Sequence, residues 1–227
     1  MLRLKMQTNA SHVMGDNMKV ELIDHAGGDL SVVNSARVSF NKEVKEMTGN
    51  DERLIRYLAK HRHDTPFRHN FIQLRCRVPL FLARQLMKHQ AGLTWNEESR
   101  RYVDDTPSFY VPSAWRQRPD ESIKQGSGKH HHRSPMWQRY VEEHVHESIA
   151  LYRDMLADNV APEMARMVLP QNMMVNFIWS GNLLAFFHVY ALRSGEGAQE
   201  EAKEFAELLK AAIEPEFTTS WKALEER

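Results

Sequence analysis

Short apolar runs separated by polar turns fill the first part of the chain and predict a mixture of strands and helices. Alternation of apolar and polar residues predicts strands over residues 18–24 and 71–78. Apolar residues at helical spacing predict helices over residues 30–40, 50–61 and 79–90.

Helices are predicted to dominate the second half of the chain. A long amphipathic helix begins near Ser134, and a short helix opens at Pro162. The apolar stretch from about Met173 to Arg193 is interpreted as a buried helix, and residues 198–217 as a further amphipathic helix. This mixed order of elements indicates the α/β or α+β class, and we expect one domain.

Proline and glycine residues indicate where these elements begin and end. Pro79 suits the first turn of its helix, and Gly92 suits a position just beyond the helix end. Ser134 is a candidate N-cap, since a proline follows it. Residues 116–134 are polar and contain glycine, so we expect an exposed, flexible loop. Residues 1–17 are interpreted as an N-terminal extension.

Composition narrows the class of protein. The chain has 227 residues, of which 42% are hydrophobic and 26% charged, as in ordinary globular proteins. Its formal net charge is zero, which argues against a general nucleic-acid coat. Cys76 is the one cysteine, which fits a reducing compartment. We recognise no signal peptide and no apolar run of membrane-spanning length, so we expect a cytoplasmic protein.

Polar side chains concentrate in the stretch RQLMKHQAGLTWNEESRRYV, residues 84–103. In the predicted helix Arg84 shares a face with Lys88, and Gln85 with His89, since each pair is four residues apart. The segment NEESRRY follows a glycine break, and arginine suits phosphate because its planar fork donates two parallel hydrogen bonds. A solvated face explains the helix alone equally well, whereas its continuation favours a ligand pocket.

Two arginines lie among apolar neighbours. Arg193 follows Asn182 by eleven residues, so the two share a face of the predicted buried helix. A charge in such a helix is costly unless it is paired or faces a ligand. Arg193 is also interpreted as a cation at the helix C-terminus, before Gly195. Arg166 has a similar setting in MARMVLP.

Three other interpretations are weighed on the residues alone. His61, His63 and His69 invite a zinc site, but no cysteine pair or HExxH motif supports one. Cys76 is interpreted as a structural thiol, because no His–Asp arrangement accompanies it. The basic residues that a nucleic-acid-binding module would use are Arg75, Arg77, Arg84, Lys88, Arg100 and Arg101.

The order of motifs along the chain resembles the flavin-dependent thymidylate synthase family, ThyX. The family's Arg-His-Arg triplet has its counterpart in Lys88-His89-Gln90, and its N-E-x-S-x-R-Y segment in residues 96–102. Further blocks that fit the family, in family order, are SARVSF (35–40), HRHDTPFRH (61–69), PLFLARQ (79–85), SFYVPS (108–113), ARMVLPQN (165–172), NLLAFFHVYALR (182–193) and AQEE (198–201).

The resemblance implies a fold with a central mixed sheet flanked by long helices, and a defined reaction. This is the reductive methylation of dUMP to dTMP with 5,10-methylenetetrahydrofolate as the carbon donor and FAD, reduced by NADPH, as the hydride carrier. It also implies a homotetramer with sites shared between subunits, with no metal, nucleic-acid or membrane partner. The flavin site is not of the Rossmann type, because the chain lacks a GxGxxG fingerprint.

The resemblance also assigns residues by position. Arg193 is the catalytic residue, and His63 and Tyr102 lie where folate or nicotinamide enters. The residues assigned to dUMP are Gln85, Lys88, Glu97, Glu98, Ser99, Arg100, Arg101, Arg166 and Arg193. The residues assigned to FAD are Thr65, Lys88, His89, Gln90, Glu97, Asn182 and His188. In this family the serine, here Ser99, is not the nucleophile.

The triplet departs from the family pattern. Lys88 and Gln90 replace two arginines, and one extra residue lies between His89 and Ser99. Lysine keeps the positive charge without the planar fork, and glutamine loses the charge. We therefore expect the grip on the flavin to differ in detail, with Arg84, Arg100 or Arg101 as compensating cations.

Overall fold

The computed structural model describes residue 15 and residues 17–120 and 126–227. Of the predicted N-terminal extension, residues 1–14 and 16 lie outside the described part of the chain. The helices and strands of the described part are, in chain order, β1 Lys19–Ala26, α1 Asp29–Arg37, α2 Gly49–Lys60, β2 Phe71–Pro79, α3 Leu80–Leu86, β3 Leu93–Glu97, α4 Ser134–Ala157, α5 Pro162–Ala165, β4 Met174–Gly181, α6 Leu183–Arg193, α7 Glu200–Ile213 and α8 Thr218–Glu225. The predicted class, with both helices and a sheet, is confirmed.

The four strands form one sheet in the order β1-β2-β4-β3. The sheet is antiparallel, whereas we expected a mixed one from the family resemblance. Both predicted strands are confirmed. In β2 every second side chain is buried, which places Ile72, Leu74, Cys76 and Val78 on one inward face.

The described residues fall into two compact units. The first unit comprises Arg77–Gln85 and Glu97–Asn176, with the described residues before Lys19; its core includes Phe109, Val145 and Tyr152. The second unit comprises Lys19–Cys76, Leu86–Asn96 and Phe177–Arg227. In the second unit α6 packs against α7 and α2 against α8, and the largest side chains of its core are Trp179 and Trp221.

The buried helix predicted from Met173 to Arg193 is wrong in its first half. Met174–Gly181 is strand β4, and only Leu183–Arg193 is helical. The sequence VNFIW contains β-branched and aromatic residues, which favour strands. Asn182 is the N-cap of α6, where its Oδ1 accepts a hydrogen bond from the Ala185 N–H over 3.0 Å.

The helix predicted over residues 79–90 is also shorter than expected. Pro79 is the last residue of β2, and α3 ends at Leu86. Gly92 lies in the turn before β3 with a φ of 75°, a left-handed conformation suited to glycine. The four-residue pairs Arg84–Lys88 and Gln85–His89 therefore do not share a helix face, because their second members lie beyond the helix.

The remaining predictions differ from the structure mainly at element ends. The helices predicted at 30–40 and 50–61 correspond to α1, with a 3-10 turn at Val38–Phe40, and to α2. The long helix α4 is confirmed, although its N-cap is Arg133 and not Ser134. The short helix at Pro162 is confirmed as α5 with a following 3-10 turn.

The last predicted helix, residues 198–217, corresponds to α7, and α8 after it was not predicted. Within residues 116–134, Arg116 and His130 form an antiparallel bridge, and the Gln117 N–H donates to the Lys129 carbonyl over 2.8 Å. The flexibility of this loop stays a prediction. In the described part of the chain, no helix combines the length and apolarity that crossing a membrane requires.

Candidate active site

Arg193 and His89 form a hydrogen-bonded pair in the second unit. Arg193 is the last residue of α6, is half-buried, and donates from Nε to His89 Nε2 over 3.1 Å. Burial lowers the pKa of Arg193. Burial, and then the charge of Arg193, lower the pKa of His89. His89 is therefore neutral, with its proton on Nδ1, and the pair carries a single positive charge on the guanidinium.

A tight turn positions His89. The His89 N–H donates to the Leu86 carbonyl over 2.9 Å, which closes the turn after α3. A Cβ at Gly92 would lie 2.9 Å from Asn182 Nδ2, so only glycine lets the turn approach the N-terminus of α6 this closely. Lys88 and Gln90, on either side of His89, are exposed.

A groove of about 1100 Å³ opens in the second unit. His63 and Thr65 line it, as do residues 35–40. Exposed Phe40 and Val38 provide apolar surface, and Arg62 and Arg68 provide cationic groups. The sequence blocks SARVSF and HRHDTPFRH predicted a functional region here, but nothing in their spacing indicated that they share one groove.

This groove suits the flavin that the resemblance implies. Ligand sites are typically apolar clefts of about 300–1,000 Å³ with a few polar groups, and this groove is of that order. Its apolar wall suits a planar ring, and its arginines suit a diphosphate. His188 does not belong to the lining; its Nε2 lies 3.1 Å from Arg227 Nη2.

In the first unit, the segment after β3 is held by a chain of polar contacts. The Glu98 N–H donates to the Asn176 carbonyl over 2.9 Å, and Asn176 Nδ2 donates to Glu98 Oε2 over 2.6 Å. Arg77 Nη1 donates to Asn176 Oδ1 over 3.0 Å and its Nη2 to Ser108 Oγ over 2.6 Å. Asn176 was not predicted as a site residue, and Arg77 was named only for the nucleic-acid alternative, because this contact spans 99 positions of the chain.

The two arginines of NEESRRY have different settings. Arg100 is buried, and its Nη1 donates to both Oδ1 and the carbonyl of Asp105 at 2.6 Å, so it holds the turn together. Arg101 is exposed, and its Nε donates to Ser99 Oγ over 3.1 Å. An arginine cannot take up a proton, so this partner orients the Ser99 hydroxyl and does not activate it as a nucleophile.

A second, smaller cavity of about 270 Å³ lies in the first unit. The predicted dUMP residues that line it are Glu97, Glu98, Arg100 and Arg166. Arg166 Nε donates to the Glu163 carbonyl over 3.2 Å, and the residue is exposed. The structure therefore brings these four predicted residues together, against an apolar wall that includes Leu80 and Val175.

The predicted residues divide between the two units. Those of the first unit are Gln85, Glu97, Glu98, Ser99, Arg100, Arg101, Tyr102 and Arg166. Those of the second unit are His63, Thr65, Lys88, His89, Gln90, Asn182, His188 and Arg193.

The zinc and cysteine interpretations are tested by geometry. Among the described residues, no three His, Cys, Asp or Glu side chains are grouped as a metal site requires. The rings of His61 and His63 lie 6.3 Å apart, and both contact Tyr57. Cys76 is fully buried, and burial raises the pKa of its thiol, which makes a thiolate nucleophile unfavourable.

These features are typical of an enzyme: a chain of mixed α and β structure, a guanidinium oriented by a histidine, and two cavities lined by both apolar and charged side chains. Residues 21–217 match the profile of the family described as thymidylate synthase complementing protein, and the chain belongs to that family. The resemblance found in the sequence motifs is thereby confirmed.

Curated relatives and solved structures agree with this membership. The chain is 34% identical over 208 residues to a flavin-dependent thymidylate synthase of Thermus thermophilus, covering 91% of this chain and 75% of that protein. It is 35% identical over 192 residues to that of Thermotoga neapolitana, covering 82% and 81%. The crystal structure of the UMP/dUMP methylase PolB from Streptomyces cacaoi, bound with 5-Br dUMP, is similar with a TM-score of 0.85 and 30% identity, covering 94% of this chain and 97% of that one.

Proposed function

We propose that this protein is a flavin-dependent thymidylate synthase. It methylates C5 of dUMP with the one-carbon unit of 5,10-methylenetetrahydrofolate and with reducing equivalents that pass from NADPH through FAD. Family membership supports this reaction. The main structural support for this proposal is the half-buried Arg193 guanidinium, which is held by neutral His89. Arg193 stands at the position of the family's catalytic arginine.

Arg193 acts on the pyrimidine. Carbon C5 of uracil is a weak nucleophile, and it becomes a stronger one as negative charge builds up on the ring and its carbonyls, as in an enolate. A guanidinium fixed before the reaction stabilises that charge without reorganising, and partial burial strengthens the effect. Because Arg193 Nε is occupied by His89, its orientation is set by the protein and not by the substrate.

The residues proposed to hold FAD are Thr65, Lys88, His89, Gln90, Glu97, Asn182 and His188. FAD, when bound, supplies the hydride that completes the methyl group. Lys88 offers a point charge where relatives have an arginine fork, and Gln90 offers a neutral amide. Asn182 has a further role, since its side chain caps α6 and lies next to the turn at Gly92.

The residues proposed to bind dUMP are Gln85, Lys88, Glu97, Glu98, Ser99, Arg100, Arg101, Arg166 and Arg193. Exposed Arg101 is suited to contact phosphate directly and orients Ser99. Arg100 contributes by shaping the segment, since its guanidinium is bound to Asp105. His63 and Tyr102 are proposed to stand where folate or nicotinamide enters.

A homotetramer with sites shared between subunits and a cytoplasmic location are part of the same proposal. Exposed apolar side chains, among them Phe40, Tyr102 and Met167, are compatible with subunit contacts. Light scattering of the purified protein measures the number of subunits directly.

A second candidate substrate is UMP. The similar PolB structures are of a UMP/dUMP methylase, one bound with 5-Br dUMP and the other with 5-Br UMP. Comparison of kcat/KM for dUMP and UMP under identical conditions decides between deoxyribonucleotide and ribonucleotide methylation. A preference for UMP would replace dTMP formation by methylation of a ribonucleotide on the same site.

The decisive experiment follows tritium release from C5 of labelled dUMP by the protein as purified, and by flavin-free protein with and without added FAD. We expect the purified protein to be yellow and tritium release to depend on FAD. Colourless protein that also fails to bind added FAD would refute the proposal. Salt-sensitive retention on DNA would favour the nucleic-acid-binding alternative, and stoichiometric zinc the metal-dependent one.

A further inference from the structure

One guanidinium, that of Arg227, joins a loop at the groove to helix α6. Its Nη1 donates to Asp64 Oδ1 over 2.9 Å, and its Nη2 lies 3.1 Å from His188 Nε2. Its central carbon lies 5.3 Å from the ring centre of Phe187. The side chain is only 14% exposed, although the residue as a whole is exposed. The Asp64 side chain is 30% exposed, so this is a partly enclosed ion pair, less solvated than a fully exposed surface pair.

Asp64 stands between the two groove residues that the proposed function uses, His63 and Thr65. The segment leaves α2 through Arg62, whose φ of 55° is left-handed. The His63 N–H donates to the Leu58 carbonyl over 2.9 Å, which fixes the start of the segment only. The Asp64 carboxylate anchors its middle through Arg227.

The contact with His188 anchors the Arg227 guanidinium to helix α6. Burial, and then the charge of Arg227, lower the pKa of His188. Its neutral ring accepts at Nε2 from Arg227 and carries its proton on Nδ1. Because the guanidinium of Arg227 is planar and rigid, binding Asp64 and His188 at once fixes the position of one acceptor relative to the other.

We propose that Arg227 is a positioning residue of the cofactor groove, which holds His63 and Thr65 in place through Asp64 and orients His188. This inference rests on the proposed function, because those three residues are assigned there to the flavin and to the entering folate or nicotinamide. Arg227 itself touches none of the reacting groups in this role.

The test compares the wild-type protein with three variants and a control. Arg227→Met keeps the length of the side chain and removes both donors, whereas Arg227→Lys keeps the charge and reaches one acceptor at a time. Asp64→Asn removes the charge on the other side. Arg139→Met is the matched control, since it removes an exposed pair with Glu143 on α4.

Three measurements separate positioning from stability. The first is the Kd for FAD, from titration of the flavin-free protein. The second is the rate of amide hydrogen exchange in residues 61–66 without flavin. The third is the pair of constants KM and kcat for dUMP, measured separately at saturating FAD. We expect Arg227→Met to raise the Kd for FAD about tenfold, as for loss of a charge-assisted hydrogen bond, with faster exchange in 61–66 and kcat within about twofold. We expect Arg227→Lys to give a Kd for FAD and an exchange rate between those of the wild type and Arg227→Met. Arg139→Met should match the wild type in both.

The partners must also act together. Arg227→Met combined with Asp64→Asn should weaken FAD binding no more than the stronger single variant, because both remove the same contact. A lower melting temperature with unchanged Kd and exchange would overturn the positioning role. If Arg227→Met does not fold, Arg227→Lys and Asp64→Asn test the same contact by the same measurements. Wild-type protein without FAD binding or tritium release would overturn the proposed function, and this inference with it.

Discussion

His89 Nε2 accepts a hydrogen bond from Arg193 Nε over 3.1 Å, so the histidine of the triplet and the proposed catalytic arginine form one cationic pair. The two residues are 104 positions apart in the chain. The pair gives His89 a definite role that survives the replacement of its neighbours by lysine and glutamine: it is the acceptor that orients the guanidinium.

The first prediction concerns pH. The ordinary pKa of histidine is 6.5, and His89 lies below it through burial and the charge of Arg193. The unfolded chain therefore takes up this proton first, so the contribution of neutral His89 to stability is complete above pH 6.5 and is lost as pH falls through the lowered pKa. Protonation also removes the acceptor from Arg193. We expect an acidic limb in kcat/KM that begins below the ordinary histidine range.

His89→Gln is the variant that checks this assignment. Glutamine places an amide oxygen near the position of Nε2 and does not titrate, so the limb should weaken while activity at neutral pH is largely kept. His89→Ala, which has no acceptor, should lose activity at every pH. An unaltered acidic limb in His89→Gln would assign the titration to another group.

The second prediction concerns Arg193 itself. Arg193→Ala should lower kcat for dTMP formation by roughly 10²–10³-fold, the effect of removing one preorganised donor from a developing negative charge. FAD should stay bound, since Arg193 is assigned to dUMP and not to the flavin. Rapid-quench assays of product and flavin absorbance check the two halves separately. Unchanged turnover would remove Arg193 from the mechanism.

Local patterns predicted the elements whose evidence is local. Strand β2 and helices α2, α4 and α7 follow from periodicity and were found where expected. Strand β4 was mistaken for helix, because a continuous apolar run is consistent with the spacing of a strand and with that of a helix. Only its pairing with neighbouring strands distinguishes the two. Gly181 and Gly92 approach each other closely, since a Cβ on Gly181 would lie 2.5 Å from the Gly92 carbonyl, and no local pattern indicated this contact.

In the site, too, single residues could be predicted from local motifs, whereas contacts between residues far apart in the chain could not. Family motifs named His89 and Arg193, but no local pattern indicated that they touch. Asn176 and Arg227 belong to no predicted site, since each matters only through residues far away in the chain. Arg100 and Arg101 are adjacent and chemically identical, and only the structure separates the buried one from the exposed one.

The third prediction is that Cys76→Ala keeps activity. The thiol is fully buried, and burial raises its pKa, so it serves as a small apolar group on the inward face of β2. We expect turnover within about twofold of wild type and a loss of about 1 kcal/mol in the free energy of unfolding, as for ordinary core changes. Denaturant titration and the tritium assay measure these. Complete loss of activity in a folded variant would indicate a cysteine nucleophile.

The fourth prediction concerns the turn that carries the triplet. Gly92→Ala places a Cβ 2.9 Å from Asn182 Nδ2 in a residue with a φ of 75°, so both contact and conformation are unfavourable. We expect a loss of about 1–3 kcal/mol in stability and weaker FAD binding, because His89 and Lys88 shift with the turn. Gly195→Ala is the control, since its nearest neighbours would be 3.9 Å away. Similar losses in both variants would contradict the special role of Gly92.

The last prediction separates two contacts of one amide in the first unit. Asn176 accepts from Arg77 through Oδ1 and donates to Glu98 through Nδ2. Asn176→Asp keeps an acceptor for Arg77 but turns a carboxylate oxygen towards Glu98, so repulsion displaces Glu98 and the segment that follows it. We expect KM for dUMP to rise about tenfold, the effect of one charge-assisted hydrogen bond, with kcat less affected because Arg193 stays paired with His89. The matched control is Asn172→Asp, whose amide donates to the Tyr110 carbonyl. If both variants raised KM equally, the loss would reflect general damage to this unit and Asn176 would have no particular part in placing Glu98.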